Sequence, residues 1–316
     1  MSAASAKKPA AKKPAGPLVK LVETELNEKQ MKEAFLRAEP ESAQGRTYSN
    51  ISIVKAAKAA AKPFIVWLYG PPGSGKSSPA SQKMITEKLG LNIDDAAHIS
   101  LDALIEGLEP FQRKSAAAFV PNTASNENKE KARKIAQSLY TQAMQAKIIE
   151  EKTLNDRRKE LFKKAVEYEL DIIYEFVVSD PSKDYFKNEI YDILAAAGKL
   201  DTYNIYVVYP FVPPEILKTR LEERPARQMA SSTPFFRYVS PKTVDFFVNS
   251  HYDYFLDYIL PRVANEDIIV PKDNKFILKA NDRELVGKIN KVVIFDNFVG
   301  KEGGRRLRKT RKLSKK

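Results

Sequence analysis

A chain of 316 residues with 43% hydrophobic side chains can hold one large domain or two ordinary ones with real cores. The lack of any cysteine excludes disulfides, thiolate metal sites and a cysteine nucleophile, and no apolar run is long enough to span a bilayer. The net charge of +13 lies at the ends: residues 1–20 carry five lysines and no acid, residues 301–316 carry a net +8, and residues 21–300 balance.

In chain order, residues 1–20 open with an Ala/Lys/Pro repeat too poor in large apolar side chains to fold, so a disordered basic tail is expected. Its lysines precede no apolar h-region, so a secretory signal is not expected and a cytoplasmic location is, in the host cytoplasm or a virion if the source is viral. A fold unit over residues 21–300 follows. Within it, short apolar runs at 64–69, 97–101, 171–178, 203–209 and 291–295 read as buried parallel strands. Helical stretches at 81–89, 184–197, 214–223 and 244–259 alternate with them. That succession predicts a three-layer α/β/α fold of the P-loop NTPase type around a mostly parallel sheet. Residues 112–168 form a polar insertion, in which 126–164 predicts a pair of helices against the sheet edge. Residues 301–316 form a second basic tail. Each tail is expected either to make weak, salt-sensitive nucleic-acid contacts or to serve as a solubilising extension.

The run Gly70-Pro71-Pro72-Gly73-Ser74-Gly75-Lys76-Ser77 matches the phosphate-binding pattern G-x-x-x-x-G-K-[ST] between a strand and a helix. Such a turn aims successive backbone N–H groups at one anion. Gly70, Gly73, Ser74, Gly75, Lys76, Ser77 and Ser78 are therefore expected to bind a nucleotide, ATP or GTP. Lys76 would reach the β/γ-phosphates, and the Ser77 hydroxyl would ligate Mg²⁺.

In such sheets ligands sit beyond the carboxyl ends of the strands. The second strand runs into Asp102, which can take the proton of an acceptor hydroxyl or simply cap the next helix. Glu175, one acid in an apolar strand, faces a ligand cleft or forms an internal ion pair. Arg220, Arg224, Arg227 and Arg237 lie on a segment able to close over a nucleotide. The final strand ends in Asp296-Asn297, which closes the sheet edge or touches the base. His98 and His251, the only histidines, form no metal pattern, Trp67 reads as core, and the aromatic run 246–258 reads as helix packing.

Together these residues resemble the zeta toxin family of P-loop kinases and, more distantly, chloramphenicol phosphotransferase and polynucleotide kinases, over roughly residues 60–300. The resemblance rests on residues 70–77, on Ile99-Ser100-Leu101-Asp102, on Tyr174-Glu175, on the spacing of Arg224 and Arg237 before Ser240-Pro241-Lys242, and on Phe295-Asp296-Asn297. It implies a catalytic set of Lys76, Asp102, Arg224 and Arg237, Glu175 on the substrate, and Ser77 on Mg²⁺. Where the family usually has small residues after this Glu, the chain has Phe176-Val177-Val178.

The expected activity is transfer of the γ-phosphate of ATP or GTP to a hydroxyl of an unidentified small-molecule or nucleotide-like acceptor, with no membrane partner. The alternative is a nucleotide-binding protein tethered by its tails to nucleic acid or an acidic assembly, without productive transfer. A motor ATPase fits less well, because no strand ends in an apolar run followed by Asp-Glu.

Overall fold

In the computed structural model, residues 30–31, 62–94, 96–121, 124–149, 151–230, 234–240, 243–270 and 285–297 are described. Both basic tails lie outside them.

The sheet is built from β1 (Phe64–Leu68), β2 (Ala97–Ser100), β5 (Ile172–Glu175), β6 (Asn204–Phe211), β7 (Ile268–Ile269) and β8 (Lys291–Asp296). Their order is β2–β5–β1–β6–β8–β7, and every pairing is parallel. A separate antiparallel ribbon joins β3 (Lys147–Ile149) to β4 (Lys152–Thr153). The α/β architecture expected from the sequence is the one observed.

Strand β1 explains why its sequence is apolar at every position. Ile65, Trp67 and Tyr69 enter the larger core on one face, while Phe64, Val66 and Leu68 enter a smaller core on the other. A strand covered on both faces has no solvent side to mark with polar residues. On the smaller side α1 (Pro79–Leu89) contributes fully buried Ile85. On the larger side Phe162 of α5 (Leu154–Glu167) stacks on Tyr174 at 4.3 Å between ring centroids. Full burial of such side chains stabilises by about 1.5–3 kcal/mol each.

Helix starts are encoded locally. Ser78 caps α1 and Pro79 occupies its first turn, where the missing N–H costs nothing. Gly90 ends it in the left-handed region, φ 67°. A capping box between Thr153 and Asp156 opens α5. The insertion holds α4 (Asn126–Gln145) and α5, with the ribbon between them. Helix α5 is the crossover from β2 to β5 and packs on the sheet, so this half of the predicted pair belongs to the three-layer core.

Register sets the functional edge. Leu68 pairs with Glu175, Glu175 pairs with Ser100, and Phe211 pairs with Asp296. Strands β1, β2 and β5 thus finish in line, β6 and β8 end together three residues beyond them, and residues 70–77, Asp102 and Asn297 follow at this carboxyl edge.

Candidate functional site

The loop after β1 is clasped from two sides. Gly73 and Gly75 have φ of 82° and 86°, in the region L side chains avoid. A Cβ on Gly73 would stand 2.9 Å from Leu221 Cδ2 of α7 (Pro214–Met229), and one on Gly75 would collide with the Asn297 amide. Asn297 Nδ2 donates to the Ser74 carbonyl at 2.7 Å, pinning the loop to the end of β8. Ser74 is fully buried, and its N–H donates to the Pro71 carbonyl at 3.2 Å.

Lys76 folds back over this loop. Its Nζ donates to the carbonyls of Gly70 at 2.9 Å and Pro71 at 3.2 Å and lies 3.8 Å from Glu175 Oε1. Burial lowers its pKa, opposed by the charges of Glu175 and Asp102. Ser77 Oγ donates to Glu175 Oε2 at 2.8 Å. Glu175 is raised by burial, but the nearby His98 and Lys76 and the Ser77 hydroxyl bring its pKa below the ordinary value. Both sequence alternatives for Glu175 therefore hold at once: it pairs internally and lines the cleft.

A second cluster faces the loop from α2 (Leu101–Glu106). Its N-cap is Ser100, whose hydroxyl accepts from the Ala103 N–H at 3.4 Å, so Asp102 is not the cap. Asp102 Oδ2 lies 2.5 Å from Arg237 NH1, and Oδ1 accepts from the Tyr140 hydroxyl at 2.5 Å. Burial would raise the Asp102 pKa, but the Arg237 charge and these hydrogen bonds outweigh it and hold it at about 2. One turn on, Glu106 Oε1 accepts from Arg224 NH2 at 3.0 Å and Arg237 NH1 at 3.1 Å. Here burial prevails over the two guanidiniums and the pKa is raised. Arg237 lies over the Tyr140 ring, 4.5 Å from its centroid. Arg237 is 6% exposed, and the neighbouring Phe236 N–H donates to Ser115 Oγ at 3.1 Å.

These groups border a cleft of about 570 Å³ between residues 72–78, α2 and α7. Its charged lining is Lys76, Arg220, Arg224 and Arg227 against Asp102, Glu106 and Glu175. A second pocket of about 740 Å³ lies on the other side of Asp102. The two share Pro72, Ser100, Asp102 and Glu175.

Of the residues singled out from sequence, Gly73, Gly75, Lys76, Ser77, Ser78, Asp102, Glu175 and Arg224 border the first cleft. Gly70 and Ser74 lie behind it, and Arg237 borders the second pocket. Arg220 donates to the Asn297 carbonyl and Arg227 to the Arg220 carbonyl, so both belong to the α7 wall. Sequence reasoning missed Glu106 and Tyr140. Glu106 had a signal, since it stands four positions after Asp102 and so on the same helix face. Tyr140 had none, because it comes from α4, 38 residues away.

The donor set suits a hard cation held jointly with phosphate. Ser77 and Glu175 offer adjacent oxygens, and among the described residues no cluster of three or more His, Cys, Asp or Glu is arranged to hold a metal alone. Mg²⁺ commonly binds through one or two protein oxygens plus substrate phosphates. Among the described residues no helix is long and apolar enough to cross a membrane.

Residues 50–160 match the family model described as Zeta toxin, so the zeta toxin-like resemblance holds over the stretch containing the loop, β2 and Asp102. Among solved structures, one from the molecular and structural characterization of the PezAT chromosomal toxin-antitoxin system of Streptococcus pneumoniae is 14% identical, with 74% of each chain covered and a TM-score of 0.37. No curated protein matches the chain.

Proposed function

We propose that the protein is a phosphotransferase that moves the γ-phosphate of ATP or GTP to a hydroxyl on a small acceptor. The observation that carries this reading is the shared border of two cavities at Asp102, with the 70–77 loop on one side and a separate pocket on the other. A motor or switch needs a water beside the phosphate rather than a second pocket for an acceptor.

In this reading the backbone amides of the loop and the Lys76 ammonium bind the phosphate tail, once Lys76 leaves its two loop carbonyls. Ser77 and Glu175 would hold Mg²⁺, which when bound neutralises charge on the β- and γ-phosphates. Arg224 and Arg237 turn from Glu106 to the transferring phosphoryl group. Asp102 accepts the acceptor's hydroxyl proton and orients the attack. Its pKa of about 2 belongs to the state paired with Arg237. Movement of Arg237 onto phosphate would take that stabilisation away and raise the basicity of the carboxylate.

The test is equilibrium binding of ATP and GTP to the full chain with Mg²⁺, followed by phosphate-transfer assays. Lys76→Ala is expected to abolish binding. Asp102→Asn is expected to keep binding and to lose about a hundredfold or more in transfer rate, the range for a lost general base. Retained turnover in Asp102→Asn removes that residue from the mechanism, and failure of the native chain to bind either nucleotide removes the activity.

A further inference from the structure

The second pocket is unlike the first in its chemistry. Its volume of about 740 Å³ is that of a small-molecule site, within the usual range of roughly 300–1,000 Å³. Its walls are largely apolar, with Met144, Phe176, Tyr185, Val239 and Phe247 among them. Neutral hydrogen-bonding groups, including Gln137, Thr141 and Ser179, complete the lining.

Among the described residues the charged groups of this pocket are Arg158, Arg237, Asp102, Glu175 and Glu189. Both cations are paired here, and in the reading above Arg237 leaves its partners only for the transferring phosphoryl group. Arg237 is bound to Asp102 and Glu106. Arg158 donates to Glu189 Oε2 at 2.9 Å, to the Tyr174 hydroxyl at 2.6 Å and to Asn155 Oδ1 at 3.0 Å. The Tyr174 and Phe176 rings flank its guanidinium at 5.1 and 5.6 Å. Glu189 pairs with Lys159 as well, at 3.1 Å, and Glu175 with Lys76 at 3.8 Å, so each of the three carboxylates is already compensated. Among the described residues a diphosphate buried there would meet neither unpaired positive charge nor a loop of backbone amides, and desolvating it would be costly.

We propose that this pocket is the acceptor site and that it takes an uncharged, hydroxyl-bearing molecule with a flat apolar body, a chemistry shared by nucleosides and aryl glycosides. This rests on the phosphotransferase reading above. The flat body packs among Phe176, Tyr185 and Phe247, and a hydroxyl points to Asp102 at the shared border. Its oxygen forms a bond to the γ-phosphorus of the nucleotide, the bond from that phosphorus to the β-bridging oxygen breaks, and the nucleoside diphosphate leaves. The hydroxyl proton passes to the Asp102 carboxylate and then to water.

The experiment uses the full chain saturated with a nonhydrolysable analogue of ATP or GTP, whichever binds more tightly, and Mg²⁺. Into it are titrated a panel of nucleosides, a panel of 4-nitrophenyl glycosides and, as the charged competitor, UDP-glucose. At least one neutral compound is expected to bind tenfold or more tightly than UDP-glucose, and the two neutral panels decide which flat body is preferred. Met144→Lys is expected to weaken that binding at least tenfold and to improve UDP-glucose binding, with analogue affinity unchanged. Phe247→Ala, a smaller change at a half-buried position, should weaken the neutral compound without helping UDP-glucose. Tighter binding of UDP-glucose by the native chain, or no binding by either neutral panel, overturns the acceptor class. A chain that binds neither the ATP analogue nor the GTP analogue overturns the phosphotransferase reading instead.

Discussion

Asp102 stays ionised in a mostly buried position because Arg237 and Tyr140 each hold one of its oxygens. Its pKa falls from 3.8 to about 2 on folding, so its contribution to stability is complete above about pH 4 and is lost as pH drops towards 2. Urea denaturation of the native chain between pH 2 and 5 should show this loss, and Asp102→Asn should lack it. Tyr140→Phe removes one charge-assisted hydrogen bond, worth about 1.5–3 kcal/mol. The expected result is a comparable drop in stability, an upward shift of the Asp102 titration, and a kcat lowered by about tenfold with nucleotide affinity unchanged. A purely structural Tyr140 would lower stability and leave the pH profile of kcat where it was.

Among the elements, the 70–77 loop depends most on its neighbours. Gly75 combines a φ of 86° with direct contact to Asn297, so Gly75→Ala strains the backbone and displaces the amide that holds the Ser74 carbonyl. Nucleotide affinity should fall at least tenfold, measured by titration calorimetry, and unfolding should come earlier in the same variant. Sequence made the loop and most strands legible because their signals are local: β1 is apolar throughout, and the glycine spacing is fixed. It predicted the strand at 171–178, which ends instead at Glu175 as the chain turns into the pocket wall. The two-residue β7 is too short to carry a pattern, and it exists only through pairing with Val292 and Val293. Helix α7 was expected to stop at Glu223, yet it runs through Pro225 to Met229. Packing of Leu217 and Leu221 in the core outweighs the local proline penalty there.

At the scale of the molecule, the parallel sheet gathers its chemistry at one edge, and the balanced charge of residues 21–300 leaves the excess to tails outside the described residues. Removal of residues 1–20 and 301–316 is expected to leave phosphate transfer intact and to abolish salt-sensitive retention on heparin. Loss of transfer in the trimmed chain would place a tail in the site. The long-range part of the architecture was the least legible, since Tyr140 and Phe247 meet the Asp102 border only through folding of distant helices. Glu106 carries one more consequence. Two guanidiniums now restrain the pKa that burial raises, and a nucleotide that draws them away would leave the carboxyl hungry for a proton. Loading would then absorb hydrogen ions from the medium, so affinity would climb on acidification and the heat of association would vary with the buffer's ionisation enthalpy.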